Sequence, residues 1–281
     1  MLQYEIAGLK LGIVHNKSNK FKRLRLFESS FSDRPDIEIK FQSSGSFAAP
    51  KYSALENDGI SWYVEHTGDM TVTYVFLKET GRTEFVIEAR SDWSDITILY
   101  LERSSKVEKA FCYFLGNYIL SNSIIYHRGF VLHASSISYS GKGITFTAPS
   151  GTGKSTHTAM WKKYYNAVIL NDDCPIIKLE NSSILVYGTP WSGNKNKAAQ
   201  SSSPLSMIVF LEQADRNSIR GLTKEEAIPL LLPRIFLPYQ NPMLIDTVLK
   251  SIEKIVDVVP KYLLKCKPNR EATELVHKCL M

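Results

Sequence analysis

Gly143-Ile144-Thr145-Phe146-Thr147-Ala148-Pro149-Ser150-Gly151-Thr152-Gly153-Lys154-Ser155-Thr156 is the stretch that decides the fold. An apolar run of strand length comes first. A loop with two glycines follows, and then residues that open a helix from Lys154 to Tyr165. The loop matches the phosphate-binding pattern G-x-x-x-x-G-K-[ST], with Ala148 at the first glycine position. Average residue frequencies give this relaxed pattern by chance in roughly a few per hundred chains of this length. Its context makes chance a poor account. Strand, loop and helix in that order are what phosphate binding needs: glycines let backbone N–H groups converge on phosphate oxygens, and the helix N-terminus adds a favourable dipole. Ser150, Gly151, Thr152, Gly153, Lys154, Ser155 and Thr156 are therefore expected to hold a nucleotide. Lys154 would reach the β- and γ-phosphates, and Ser155 would offer its hydroxyl to Mg²⁺.

Downstream, Ala167-Val168-Ile169-Leu170 reads as an apolar strand ending in Asn171-Asp172-Asp173, 18 residues after Lys154. Alone, this ending would be an Asx-type turn. Beside a phosphate loop it reads as a carboxylate pair for phosphoryl transfer. Consecutive strand residues point to opposite faces, so one Asp can face a metal while its neighbour faces an incoming nucleophile.

The surrounding segments alternate strand and helix. Phe130 to Tyr139 and Gly143 to Ala148 read as two strands joined at Ser140-Gly141-Lys142-Gly143. Pro175–Leu179 and Ile184–Tyr187 turn at Asn181-Ser182. Strand Leu205–Leu211, a short helix from Lys224, helix Pro242–Val258, strand Lys261–Cys266 and a helix from Arg270 follow. This predicts an α/β layer fold for residues 127–281. Residues 1–105 differ. Ile37, Ile39 and Phe41 alternate with polar residues, as do Val72, Tyr74 and Phe76, then Phe85 and Ile87, then Ile96, Ile98 and Tyr100. That period predicts half-buried antiparallel strands, with a Ser/Gly/Ala-rich loop from Phe41 to Pro50. Between the halves, Val107, Ala110, Phe111, Phe114, Leu115, Tyr118 and Ile119 recur at helical spacing and predict a connecting helix over 106–126. The fold class expected is α/β, α+β overall: a β-rich N-terminal domain followed by a phosphate-loop α/β catalytic domain.

Composition sets the limits. With 281 residues, 44% hydrophobic and 22% charged, the chain is an ordinary globular protein and not a disordered or low-complexity one. No apolar run reaches the ~18 residues of a membrane span. The N-terminal stretch lacks a secretory pattern, since Glu5, Lys10 and His15 interrupt its apolar residues. Cys112, Cys174, Cys266 and Cys279 form no CxxC and no zinc-ligand spacing, and read as reduced thiols. A cytoplasmic protein with no membrane partner is the expectation. The net charge of +6 is uneven, because residues 1–27 hold six Lys/Arg against Glu5 alone. No nucleic-acid recognition motif accompanies that patch, so a solvated face or a protein partner is the better reading.

The order Val131-Leu132-His133-Ala134, Ser140-Gly141-Lys142-Gly143, the phosphate loop, then Leu170-Asn171-Asp172-Asp173 resembles the catalytic domain of HPr kinase/phosphorylase. That fold also resembles the nucleotide domain of phosphoenolpyruvate carboxykinase. The resemblance is nearest to the HPr-kinase-like proteins of lasso-peptide and similar ribosomal-peptide gene clusters. It covers roughly the last 150 residues, with support from Gly188-Thr189-Pro190-Trp191-Ser192-Gly193 and from Phe210-Leu211-Glu212-Gln213. It implies catalytic roles for Asp172, Lys154 and His133, and metal ligation by Ser155 and Asp173, with the split between the two Asp residues open. It implies that Trp191, Gly193, Asn194 and Lys195 border the substrate. It implies ATP and Mg²⁺ as cofactors, a peptide or protein with an acceptor serine as partner, and a homo-oligomer. The Glu-Ile-Arg-Gly segment of true HPr kinases is missing and residues 1–105 do not resemble their regulatory domain, so HPr is not the implied substrate. Three readings stand at this point: a serine kinase acting on a peptide, a small-molecule kinase, and a nucleotide-binding scaffold without turnover. Arg234 reads as an ordinary surface arginine that could instead reach a phosphate. His157 reads as facing out or packing locally.

Overall fold

The alternating segments of the first hundred residues build one eight-stranded sheet in the computed structural model, which describes all residues except 16–20, 48–54, 58–59, 78–81, 102–113, 193–197, 239–240 and 281. Its strands are β1 (Leu2–Ile6), β2 (Leu9–Val14), β3 (Ile37–Ser44), β4 (Leu55–Asn57), β5 (Ile60–Thr67), β6 (Met70–Leu77), β7 (Arg82–Arg90) and β8 (Asp95–Leu101), in the order β1-β2-β3-β8-β7-β6-β5-β4. The antiparallel expectation holds for most of these pairs and fails at β3, which runs parallel to both β2 and β8. A two-residue hairpin cannot join parallel strands. The β2–β3 connection instead carries the 3₁₀ turn Lys22–Phe27, which buries Leu24 and Phe27. The loop expected from Phe41 starts later, because Phe41 to Ser44 continue pairing with Ile98 to Leu101.

The chain divides into two compact units, residues 1–123 and 124–281. Of the connecting helix, residues 102–113 lie outside the described set. Leu115–Ile119 is a π-helical turn and Leu120–Tyr126 is α-helix. Phe114 packs edge-on against Phe85, and Tyr118 against Trp93, within the first unit. Among the described residues, no helix is long and apolar enough to cross a membrane.

The second unit is an α/β layer structure. Its mixed sheet holds β9 (Gly129–Val131), β10 (Ala134–Tyr139), β11 (Lys142–Thr147), β12 (Val168–Asn171), β13 (Ile176–Glu180), β14 (Ser183–Tyr187), β15 (Ser202–Gln213), β16 (Ser218–Gly221) and β17 (Lys261–Cys266). The run Phe130 to Tyr139, expected as one strand, is two. β9 pairs with β13, whereas β10 pairs with β11 and β12. The chain changes partners at Leu132-His133, and this break sets His133 apart from both ladders.

Strand direction places the site. β15 is parallel to β11, and β17 is parallel to β15. β12 is antiparallel to β10, which is antiparallel to β11, so β12 runs the same way as β11. Four strands therefore end at one edge of the sheet, and ligands of open α/β sheets bind in the crevice outside such carboxyl ends. The helices Lys154–Tyr165 and Arg270–Lys278 cover one face, where Trp161, Phe146, Val209 and Val276 form a core. The helices Lys224–Leu231 and Pro242–Val258 cover the other, over Phe130, Leu170, Phe210 and Ile252. Thr223 and Glu226 form a reciprocal capping box at the start of Lys224–Leu231. Burial of these two apolar layers, at about 25 cal/mol per Å² of apolar surface, is the main force holding the edge in place.

Candidate functional site

The loop after β11 has the backbone that phosphate binding needs. Gly151 has φ +79° and Gly153 φ +107°, a region that side-chain-bearing residues rarely enter. A Cβ at either position would meet nothing within 4 Å, so open space and not crowding surrounds the loop's turn. Thr152 folds back inside the loop, its hydroxyl donating to Pro149 O at 2.9 Å. Gly153 caps the Lys154–Tyr165 helix without a side chain, and the helix has no acidic residue in its first turn. Its first N–H groups are thus without a side-chain cap and their dipole is uncompensated by a carboxylate, which suits an anion. Ser150 and Thr156 are exposed on this loop and first turn, and Ser155 is half-buried beside them.

Lys154 lies buried across its own loop. Its Nζ donates to Ala148 O at 3.0 Å, to Pro149 O at 3.3 Å and to His133 Nε2 at 3.0 Å. Because Nε2 accepts, the His133 proton sits on Nδ1, which faces Asp173 Oδ1 at 3.2 Å. A continuous chain Lys154–His133–Asp173 results. Burial lowers the proton affinity of Lys154 and Arg234 adds to this, while Asp173 acts the other way. The carbonyl contacts of Lys154 are ones a phosphate oxygen can replace without leaving a buried charge unpaired. His133 is held by its backbone: its N–H donates to Arg234 O at 2.6 Å, and its carbonyl accepts from the Thr147 hydroxyl at 3.1 Å.

The Asp pair is positioned by Asn171. Asn171 is fully buried and makes five hydrogen bonds. Its Oδ1 accepts from the N–H groups of Asp173 (2.8 Å) and Cys174 (2.7 Å), and its Nδ2 donates to Thr189 O, Thr189 Oγ1 and Trp191 O. This is an Asx turn, so the turn and the carboxylate site are one feature and not alternatives. Asp172 and Asp173 therefore sit in a bend after β12, and strand alternation does not set their directions. Asp172 is buried, and its carbonyl accepts from the Ser135 hydroxyl at 2.8 Å. An Asn at the last strand position before two carboxylates is the signal that could have found this support.

His133, Asp173 and Cys174 bring ligand atoms within 4.8 Å of one another. Burial, with both carboxylates nearby, pushes the Cys174 thiol well up, so it remains a thiol. Of this cluster only Asp173 offers the hard oxygen ligand that Mg²⁺ prefers. Trp191 is buried, and its carbonyl serves Asn171. Gly193, Asn194 and Lys195 lie outside the described residues. Arg234 is brought to the site: it lines a cavity of about 570 Å³ with Pro149, Ser150, Gly151 and Phe210, and its charge acts on Lys154. The sequence offered no spacing from which this approach could be read, because Arg234 lies 80 residues from Lys154.

The family described as SynChlorMet cassette protein ScmC matches over residues 116–235, a span that includes His133, the phosphate loop, the Asp pair and Arg234. No curated protein matches the sequence. Among solved structures, the HPr(Ser) kinase/phosphatase from Coxiella burnetii is similar at 16% identity over 53% of this chain and 87% of that one, with a TM-score of 0.31.

His157 is a further titratable group at this edge. It is 2% exposed, lies edge-on to Phe146 at 4.6 Å, and neither ring nitrogen has a hydrogen-bond partner among the described residues. Burial pushes its pKa down to about 4. The folded chain then refuses a proton that the unfolded chain accepts near pH 6.5. Stability is full above about pH 6.5 and falls as pH drops toward 4, by an amount on the order of 3 kcal/mol. His157→Phe should flatten the unfolding free energy between pH 6.5 and 4 in urea titrations. An unchanged slope would mean that His157 is not the group responsible.

Proposed function

We propose that the chain is an ATP- and Mg²⁺-dependent phosphotransferase that moves the γ-phosphoryl group to a hydroxyl, the acceptor being a serine of a peptide or protein such as a ribosomal precursor peptide. The observation that carries this reading is the chain Lys154–His133–Asp173 set directly behind a phosphate loop of left-handed glycines. Magnesium, when bound, draws charge from the phosphate oxygens. Lys154 supplies a buried cation to the same oxygens, and the N–H groups of Gly151 to Ser155 orient the phosphate chain. His133 holds Lys154 from one side and Asp173 from the other, so the lysine is aimed before any substrate arrives. Asp173 accepts from His133 at Oδ1 and also hydrogen-bonds the Cys174 thiol, and its remaining lone pairs would serve a cation. Asp172, the other carboxylate of the pair, takes or orients the proton of the acceptor hydroxyl. Arg234 adds a second positive charge beside the loop.

Incubation of the full chain with γ-labelled ATP, Mg²⁺ and precursor peptides tests this. Label on a serine is expected, and Asp172→Asn should bind ATP normally and transfer none. ATP binding with no labelled peptide or protein would end the peptide-kinase reading.

A further inference from the structure

The transfer step makes no use of the buried Cys174 thiol, which lies beside Asp173. We propose that His133, Asp173 and Cys174 form a site for a thiophilic divalent cation of the zinc class, and that filling it holds the phosphate site inactive. The site stands on its donor set alone, whereas the inactivation rests on the phosphotransferase reading above.

The backbone brings the donors together. Between the β9–β13 and β10–β12 ladders, the Leu132 N–H donates to Pro175 O at 3.1 Å and the Ala134 N–H to Asp173 O at 2.9 Å. These two bonds set His133 opposite Cys174 at a narrow antiparallel position, where facing side chains come closest. Asn171 Oδ1 fixes the N–H groups of Asp173 and Cys174, and the Thr189 hydroxyl fixes Cys174 O. Donor atoms of the three residues lie within 4.8 Å of one another, His133 Nδ1 is 3.2 Å from Asp173 Oδ1, and the thiol hydrogen-bonds the same carboxylate. Ligand atoms about 2.1 Å from a tetrahedral metal lie roughly 3.4 Å apart, so little movement is needed. The side chains of His133 and Asp173 are 30% and 37% exposed and give a cation its way in.

Donor chemistry decides the class. Imidazole, thiolate and a single carboxylate suit Zn²⁺, whereas Mg²⁺ takes oxygen ligands. Three protein ligands leave the fourth position to water. Binding is a ligand exchange with no change of oxidation state. The thiol proton leaves to solvent as the Zn–S bond forms, because a bound dication reverses the local balance that keeps the free thiol protonated. His133 Nδ1 gives its proton to solvent and bonds the metal, and Nε2 takes a proton up, so the imidazole stays neutral. Nε2 is the atom that accepts from Lys154 in the free protein. An N–H there faces an ammonium. Lys154 then loses its aiming contact, and Asp173 is taken from Mg²⁺.

Cobalt, a spectroscopic stand-in for zinc, tests the site in the full chain after chelator treatment and reduction. Co²⁺ should give the intense visible bands of a tetrahedral ion and a thiolate-to-cobalt band in the near ultraviolet, and Zn²⁺ should displace it. Cys174→Ser keeps a hydrogen-bond donor for Asp173 and removes the thiolate. It should lose the thiolate band and weaken Zn²⁺ by ~100-fold or more, beyond the ~10–100-fold that outer-shell changes cost. X-ray absorption on the zinc-loaded parent, which needs no variant, should show a sulfur ligand at about 2.3 Å. No sulfur ligand, or an undiminished thiolate band in Cys174→Ser, would overturn the site. Zn²⁺ should also stop peptide labelling by the parent in a large excess of Mg²⁺, and should do so far less readily in Cys174→Ser. Equal inhibition of the two would overturn the inactivation. Failure of the phosphotransferase reading looks different: the cobalt bands appear, and no peptide is labelled with Mg²⁺ alone.

Discussion

Lys154→Ala should remove all phosphoryl transfer and weaken ATP binding by at least ~100-fold, about 3 kcal/mol, the scale of a lost charged hydrogen-bond set. The reasoning starts from what Lys154 costs the free protein. Its ammonium is buried, and burial lowers its proton affinity. It is kept there by two loop carbonyls and the His133 ring. Alanine removes a desolvated charge along with those bonds, so the unliganded protein should lose little stability. The loss falls on the liganded state, where the cation would meet phosphate oxygens. Two measurements separate the effects: a thermal melt without nucleotide, expected within a few degrees of the parent, and a calorimetric ATP titration, expected to show the weakening. Unchanged ATP affinity would place the nucleotide elsewhere in the molecule.

The phosphate loop was legible because its signal is local. Two glycines, a lysine and a hydroxyl residue fall within six positions, and the strand before them and the helix after them follow from periodicity over short windows. The boundaries of Pro242–Val258 and Lys261–Cys266 were legible for the same reason. What escaped depends on which strands meet. The break at Leu132-His133 exists because β9 and β10 belong to different ladders, and a run without Gly, Pro or another turn signal carries no trace of that. The parallel course of β3 is set by a crossover, whereas alternation reports only that a strand is half-buried. Asn171 was visible as a turn former but not as the hub that joins Thr189 and Trp191 to the Asp pair. Arg234 reaches the loop through tertiary packing of a segment that carries no motif of its own.

That hub suggests where a single methyl group should do the most damage. Gly188 precedes Thr189, the residue that receives the Asn171 amide and whose own hydroxyl donates to Cys174 O at 2.8 Å. The Gly188 N–H donates to Ser201 O at 2.9 Å. A Cβ built there would collide with the backbone oxygen of Ala199 and would come within 2.6 Å of Leu170 O. Both obstacles are main-chain atoms in paired segments: Ala198 bridges Asn171, and Ala199 N–H donates to Leu170 O at 2.9 Å. Neither can rotate away as a flexible side chain would. Overpacking of well-packed sites typically costs 1–3 kcal/mol, and with backbone on two sides Gly188→Ala should cost roughly 3 kcal/mol or more. The displacement would run along Leu170–Asn171 into Asp172 and Asp173, so transfer should fall well before folding is lost. ATP binding, which depends on the loop after β11, should fall less. Urea unfolding, ATP titration and labelling on the same preparation read these three quantities. A Gly188→Ala protein with the parent's midpoint and the parent's transfer rate would show that β12 and the segment after β14 do not pack as described, and with them the positioning of the Asp pair by Asn171.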